Sequence, residues 1–254
     1  MGLNDSSEGK YLRMATEFAC RCVSIDLEVG KADTKIHQIG AVCLESQSLQ
    51  ISEFSHAKGP LTQSLVELER FASAAEFSVG HNFILFDRKH LLAARPDLGV
   101  ALRPAVDTLW LNPLAFPRNP YHHLVKHYQD GQLQSGQKNN PVADARLTLD
   151  VLVDQFITLR RISEATPELV AMYHWLTTRS EGSAGFDAFF SALRGQAAPD
   201  LSLVQQYMQG FLADKAWRCR LPRGGQTARC QANRALACGH APRPAPGFGQ
   251  GQAC

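Results

Sequence analysis

No stretch of this 254-residue chain approaches 18 uninterrupted apolar residues, so no membrane-spanning helix is expected. Residues Met1 to Lys10 are polar and carry no apolar run, so no export signal is read there. Internal repeats are lacking, which sets aside solenoids and propellers. Paired cysteines at zinc spacing are also missing. Cys20 and Cys22 have no second pair, and Cys219, Cys230, Cys238 and His240 fit no common ligand spacing. Seven irregularly spaced cysteines without an export signal point to reduced thiols and a cytoplasmic location. The last 39 residues, Ala216 to Cys254, contain no lysine and no acid.

That last absence changes how the net charge of +2 is read. The six arginines of Ala216 to Cys254 leave Met1 to Lys215 at −4, with 20 basic against 24 acidic residues. The body is therefore mildly acidic, and a nucleic-acid partner cannot be argued from overall charge. The final segment also holds six Gly, four Pro and four Cys, with no apolar periodicity, so it cannot bury a core and is expected to be disordered. Its composition fits translation out of frame of a G+C-rich gene, with the native frame ending near Trp217.

Over the whole chain, 44% hydrophobic and 20% charged residues describe a soluble globular protein. The apolar run Phe18 to Leu27 predicts a buried strand, and alternation over Ile36 to Leu44 predicts a second. Gln50 to Phe54 completes an antiparallel meander. Helices are expected over Leu61 to Phe71, Ile84 to Ala94, Pro120 to Tyr128 and Pro141 to Leu159. Short strands are expected at Phe77 to Val79 and from Pro104. Three further helices follow at Pro167 to Thr177, Gly185 to Leu193 and Leu201 to Ala213. The pattern predicts a mixed-sheet α/β domain over residues 17–160, a helical extension over 161–215 and a tail over 216–254.

Four acids in three segments carry the chemistry. Asp26 and Glu28 lie two apart on a predicted strand, so their side chains leave on one face. Two acids on one face of an apolar strand cost several kcal/mol each unless a counter-charge meets them, in the range of about 2–7 kcal/mol for a buried polar group. Asp87 and Asp144 each stand at a predicted helix start, where capping and the helix dipole also account for an acid. Gly80, His81 and Asn82 precede Asp87 and place polar groups at a strand end. Clustered carboxylates suit Mg²⁺ or Mn²⁺, and the four together read as a two-metal phosphodiesterase site.

These residues resemble the DEDD exonuclease superfamily, in its DnaQ-like form with a histidine base. The Asp-x-Glu motif is matched by Asp26 and Glu28. The following strand is matched by Ile36-His37-Gln38-Ile39-Gly40-Ala41-Val42, the second motif's Asn-to-Asp region by Asn82 to Asp87, the Val-Asp-Thr-Leu-x-Leu segment by Val106 to Leu111, and the last motif by Asp144-Ala145. The resemblance implies a ribonuclease H-like mixed five-stranded sheet flanked by helices, with a C-terminal helical extension. It also implies 3′→5′ hydrolysis of terminal phosphodiesters in single-stranded DNA or RNA, with two Mg²⁺ or Mn²⁺ ions. Asp26 would bridge both ions, Glu28 and Asp144 would hold the water-activating one, and Asp87 would serve the second. Leu27, His81 and Asn82 would contact substrate. A similarity to exonuclease-like domains on bacterial helicases of the RecQ type implies a helicase or polymerase partner. The family's general base, a His five residues or a Tyr four residues before the last Asp, is replaced by Asn139 or Asn140. An amide cannot accept that proton, and loss of a general base costs about 10²–10⁴-fold in rate. His122, His123 and His127 could substitute if their helix faces the site, although a solvated helical face is the favoured explanation of them. The alternative reading is a weak or inactive domain that binds nucleic-acid ends or a partner protein.

Overall fold

The computed structural model describes residues 6–119, 122, 124, 140–179 and 184–216. The tail, the expected helix from Pro120 and the base position Asn139 lie outside the described residues or nearly so. The chain divides into two units, Met1–Gln209 and Gly210–Cys254.

Helix α1, Ser7–Ala19, opens the first unit with Ser6 as its N-cap, the Ser6 hydroxyl accepting from the Gly9 N–H at 3.1 Å. The expected strand from Phe18 is corrected here. Tyr11, Ala15, Phe18 and Ala19 are buried at helical spacing, so Phe18 and Ala19 end α1, and strand β1 runs over Cys22–Val29. The chain continues as β2, Ile36–Leu44, β3, Ile51–His56, α2, Leu61–Phe71, and β4, Phe77–Gly80. It then forms α3, Asp87–Ala94, α4, Gly99–Leu102, β5, Ala105–Asp107, and α5, Thr108–Ala115. The remaining described helices are α6, Pro141–Ala165, α7, Pro167–Thr177, α8, Ala184–Arg194, and α9, Leu201–Ala216.

The five strands form one mixed sheet in the order β3-β2-β1-β4-β5. β3, β2 and β1 pair antiparallel, whereas β1, β4 and β5 run parallel. The α/β architecture read from the sequence is thus present. Among the described residues no helix is long and apolar enough to cross a membrane.

The two faces of the sheet carry separate cores. Val23, Ile25 and Leu27 of β1 join Ile39, Ala41, Leu65, Leu68 and Leu91 on one face. On the other, Cys22, Val42, Val79 and Val106 pack against Ala145, Leu149, Leu152 and Phe156 of α6. Phe186, Phe189 and Phe190 of α8 belong to that second cluster, with Phe18 edge-on to Phe189 at 5.4 Å between ring centroids. The expected division at residue 160 falls inside α6, and Val170 of α7 and Phe186, Phe189, Phe190 and Leu193 of α8 belong to the same apolar cluster.

Candidate metal centre

Period-two alternation decides which side of the sheet the first acids face. Val23, Ile25 and Leu27 point into one core, so Asp26 and Glu28 point to the α6 side. In the β1–β2 register Asp26 lies opposite Gly40 and Glu28 opposite Gln38. The first turn of α6 crosses the sheet at that place. A Cβ on Gly40 would run into the Pro141 carbonyl group and the Val142 nitrogen. Only a residue without a side chain lets the helix come this close.

The start of α6 is fixed by two neighbours of the acid it carries. Asn140 is the N-cap, its side-chain oxygen accepting from the Ala143 N–H at 3.3 Å, and Pro141 occupies the first turn. Asp144 sits in that turn and is 8% exposed. The result is that Asp26, Glu28 and Asp144 each offer one carboxylate oxygen, all within 4.8 Å of one another. Three of the four acids picked from the sequence therefore meet, from segments more than a hundred residues apart.

Asp87 stands outside that triplet and is held beside it. It is 3% exposed at the start of α3, and its Oδ1 accepts the Leu27 N–H at 3.1 Å. Burial pushes the Asp87 carboxyl well above the usual carboxylate range, with the Asp26 charge as the next cause. The helix containing Asp87 begins later than the sequence predicted. Residues 83–86 form a turn rather than the first turn of a helix from Ile84. Asn82 holds a φ of 71°, in the left-handed region that asparagine tolerates, and the Phe86 N–H bonds back to its carbonyl at 3.0 Å.

That turn is anchored by a residue sequence reasoning did not select. Asp107, fully buried at the end of β5, accepts from the Asn82 N–H at 2.9 Å, the Ile84 N–H at 3.0 Å and the Leu109 N–H at 3.0 Å. The available signal was an Asp directly before a helix start, but it reads only as a cap of α5. His81, half-buried, places its Nδ1 2.9 Å from the Thr108 hydroxyl, which itself donates to the Gly80 carbonyl at 3.2 Å. The Thr108 hydroxyl thus ties the His81 ring to the end of β4. Leu27 is 5% exposed and lies in the core, and its N–H is bonded to Asp87.

Chemically, the arrangement is an all-oxygen donor set at the carboxyl ends of the parallel strands, where α/β sheets form their crevices. Each carboxylate pair at this separation repels by about 3–4 kcal/mol at an effective dielectric of about 20. A hard divalent cation offsets that repulsion, so the donors fit Mg²⁺ or Mn²⁺. Compared with models of known protein families and with curated proteins, the chain matches none.

Proposed function

We propose that this protein is a ribonuclease H-like domain of the DEDD exonuclease type that hydrolyses terminal phosphodiesters of single-stranded nucleic acid in the 3′→5′ direction. The observation that carries this reading is the convergence of Asp26, Glu28 and Asp144 within 4.8 Å. These are the residues that the motif resemblance selects, and Asp87 is buried beside them.

Asp26, Glu28 and Asp144 would hold one cation, with Asp26 and Asp87 turned to a second. Bound Mg²⁺ or Mn²⁺ would lower the pKa of water and neutralise charge on the leaving 3′-oxygen. The chain's own contribution is to hold four carboxylates in register before substrate arrives. β1 supplies two at fixed spacing, α6 brings the third over Gly40, and the Asn82 turn delivers Asp87. His81 and Asn82 directly follow β4, and on this reading they would contact the nucleic-acid terminus.

A second reading is favoured by Asn140. It occupies one of the two positions where the family carries its base, and its side chain is committed to capping α6. On that reading the domain binds nucleic-acid ends, or a helicase or polymerase partner, with little turnover.

Turnover of a labelled oligonucleotide with Mn²⁺, in wild type and Asp26→Ala, tests the proposal. Hydrolysis by the wild type alone supports the exonuclease. Metal-dependent retention of the oligonucleotide without hydrolysis supports the binding domain, equal non-zero rates in both proteins sink the exonuclease, and absence of both hydrolysis and retention sinks either reading.

A further inference from the structure

We infer that Asp107 is a positioning residue for the second cation, acting through the Asn82 turn on Asp87. The inference rests on reading the carboxylate cluster as a metal centre. An aspartate that only caps a helix needs one N–H of that helix. Asp107 accepts that one, from Leu109, and two more from a turn over twenty residues earlier in the chain.

The two oxygens divide this work. Oδ1 takes the N–H groups of Asn82 and Leu109, and Oδ2 takes that of Ile84. Asp107 pairs with Gly80 across β4 and β5, so the carboxylate sits under the point where the chain leaves β4. The turn it holds contains the positive φ of Asn82, an unfavourable backbone state for a side-chain-bearing residue. The turn ends at Asp87, whose carboxylate is fastened to Leu27, between Asp26 and Glu28 in sequence. The next residue, Thr108, receives His81. One buried carboxylate thus sets both the depth of Asp87 and the ring of His81, without belonging to the triplet.

Asp107→Asn keeps the cap and breaks one of the two bonds to the turn. Its carbonyl oxygen keeps Asn82 and Leu109, while its NH₂ group faces the Ile84 N–H, donor against donor. Asp107→Ser is the second variant, since serine caps a helix well but cannot reach both turn amides. Mn²⁺ bound per chain is counted by electron paramagnetic resonance of free Mn²⁺, alongside thermal unfolding, in wild type, both variants and Asp87→Ala. Both Asp107 variants should keep the first ion and weaken the second at least about tenfold, as should Asp87→Ala. General loosening of the fold would instead weaken both ions together, and that result overturns the positioning role. Two ions bound as in wild type, or loss of folding in both variants, overturns it too. Absence of Mn²⁺ binding by the wild type would overturn the metal centre itself, and this inference with it.

Discussion

Asp26 stands opposite Gly40 across β1 and β2, and Gly40 is where the first turn of α6 rests on the sheet. The pairing explains how an acid on a strand and an acid on a helix more than a hundred residues later come to share one site. The space that Gly40 leaves empty is filled by the Pro141 and Val142 backbone, three and two residues before Asp144.

Gly40→Ala should therefore lift the α6 N-terminus. Overpacking of this kind costs about 1–3 kcal/mol, or about 2–4 °C in Tm per kcal/mol for a chain of this size. Mn²⁺ affinity should fall with it, because Asp144 moves relative to Asp26. Thermal unfolding with and without Mn²⁺ checks both, and an unchanged Tm would mean that the helix does not rest there.

Removing a repelled acid should stabilise the metal-free protein. Burial and the Asp26 charge hold the folded Asp87 carboxyl above its unfolded value. The folded state then binds more protons than the unfolded one, so stability is lost as pH rises from about 4, the unfolded value. Asp87→Asn removes that loss. In chelator its Tm should exceed wild type at pH 7 and converge with it below about pH 4. A lower Tm than wild type at pH 7 would contradict the electrostatic account.

His174 should give the fold an acid limit. Its ring is fully buried, with Arg194 donating to Nδ1 at 2.8 Å and Nε2 2.8 Å from Asp187. The arginine can donate only to an unprotonated nitrogen, so the ring is neutral and Nε2–H donates to Asp187. Burial, the largest cause, holds the His174 pKa below its usual value. The unfolded chain takes up the proton first, so stability falls as pH drops below about 6.5. His174→Gln should flatten the Tm profile between about pH 6.5 and 5. A profile as steep as wild type would remove His174 as the cause.

Much of this fold can be read from local pattern. The alternation of Ile36–Leu44 and the apolar stripe of α6 give β2 and the helix start at Pro141, because the signals are period and capping. Helix α1 was hidden because Phe18 and Ala19, its last turn, run straight into the apolar residues of β1. The four acids were legible from spacing and motif, whereas Asp107 lay inside the matched Val106 to Leu111 segment without its role being legible. Its role depends on amides of Asn82 and Ile84, which only the parallel β4–β5 pairing brings within reach. Likewise, no local signal in Gly40 announces the helix that covers it.

The most direct test of the central claim is the product ladder from a 5′-labelled single-stranded oligonucleotide incubated with Mn²⁺. A 3′→5′ exonuclease should give stepwise shortening from the 3′ end, lost in chelator and in Asp26→Ala, Glu28→Ala, Asp87→Ala and Asp144→Ala. Internal cleavage, or an unchanged ladder in Asp26→Ala, would contradict it.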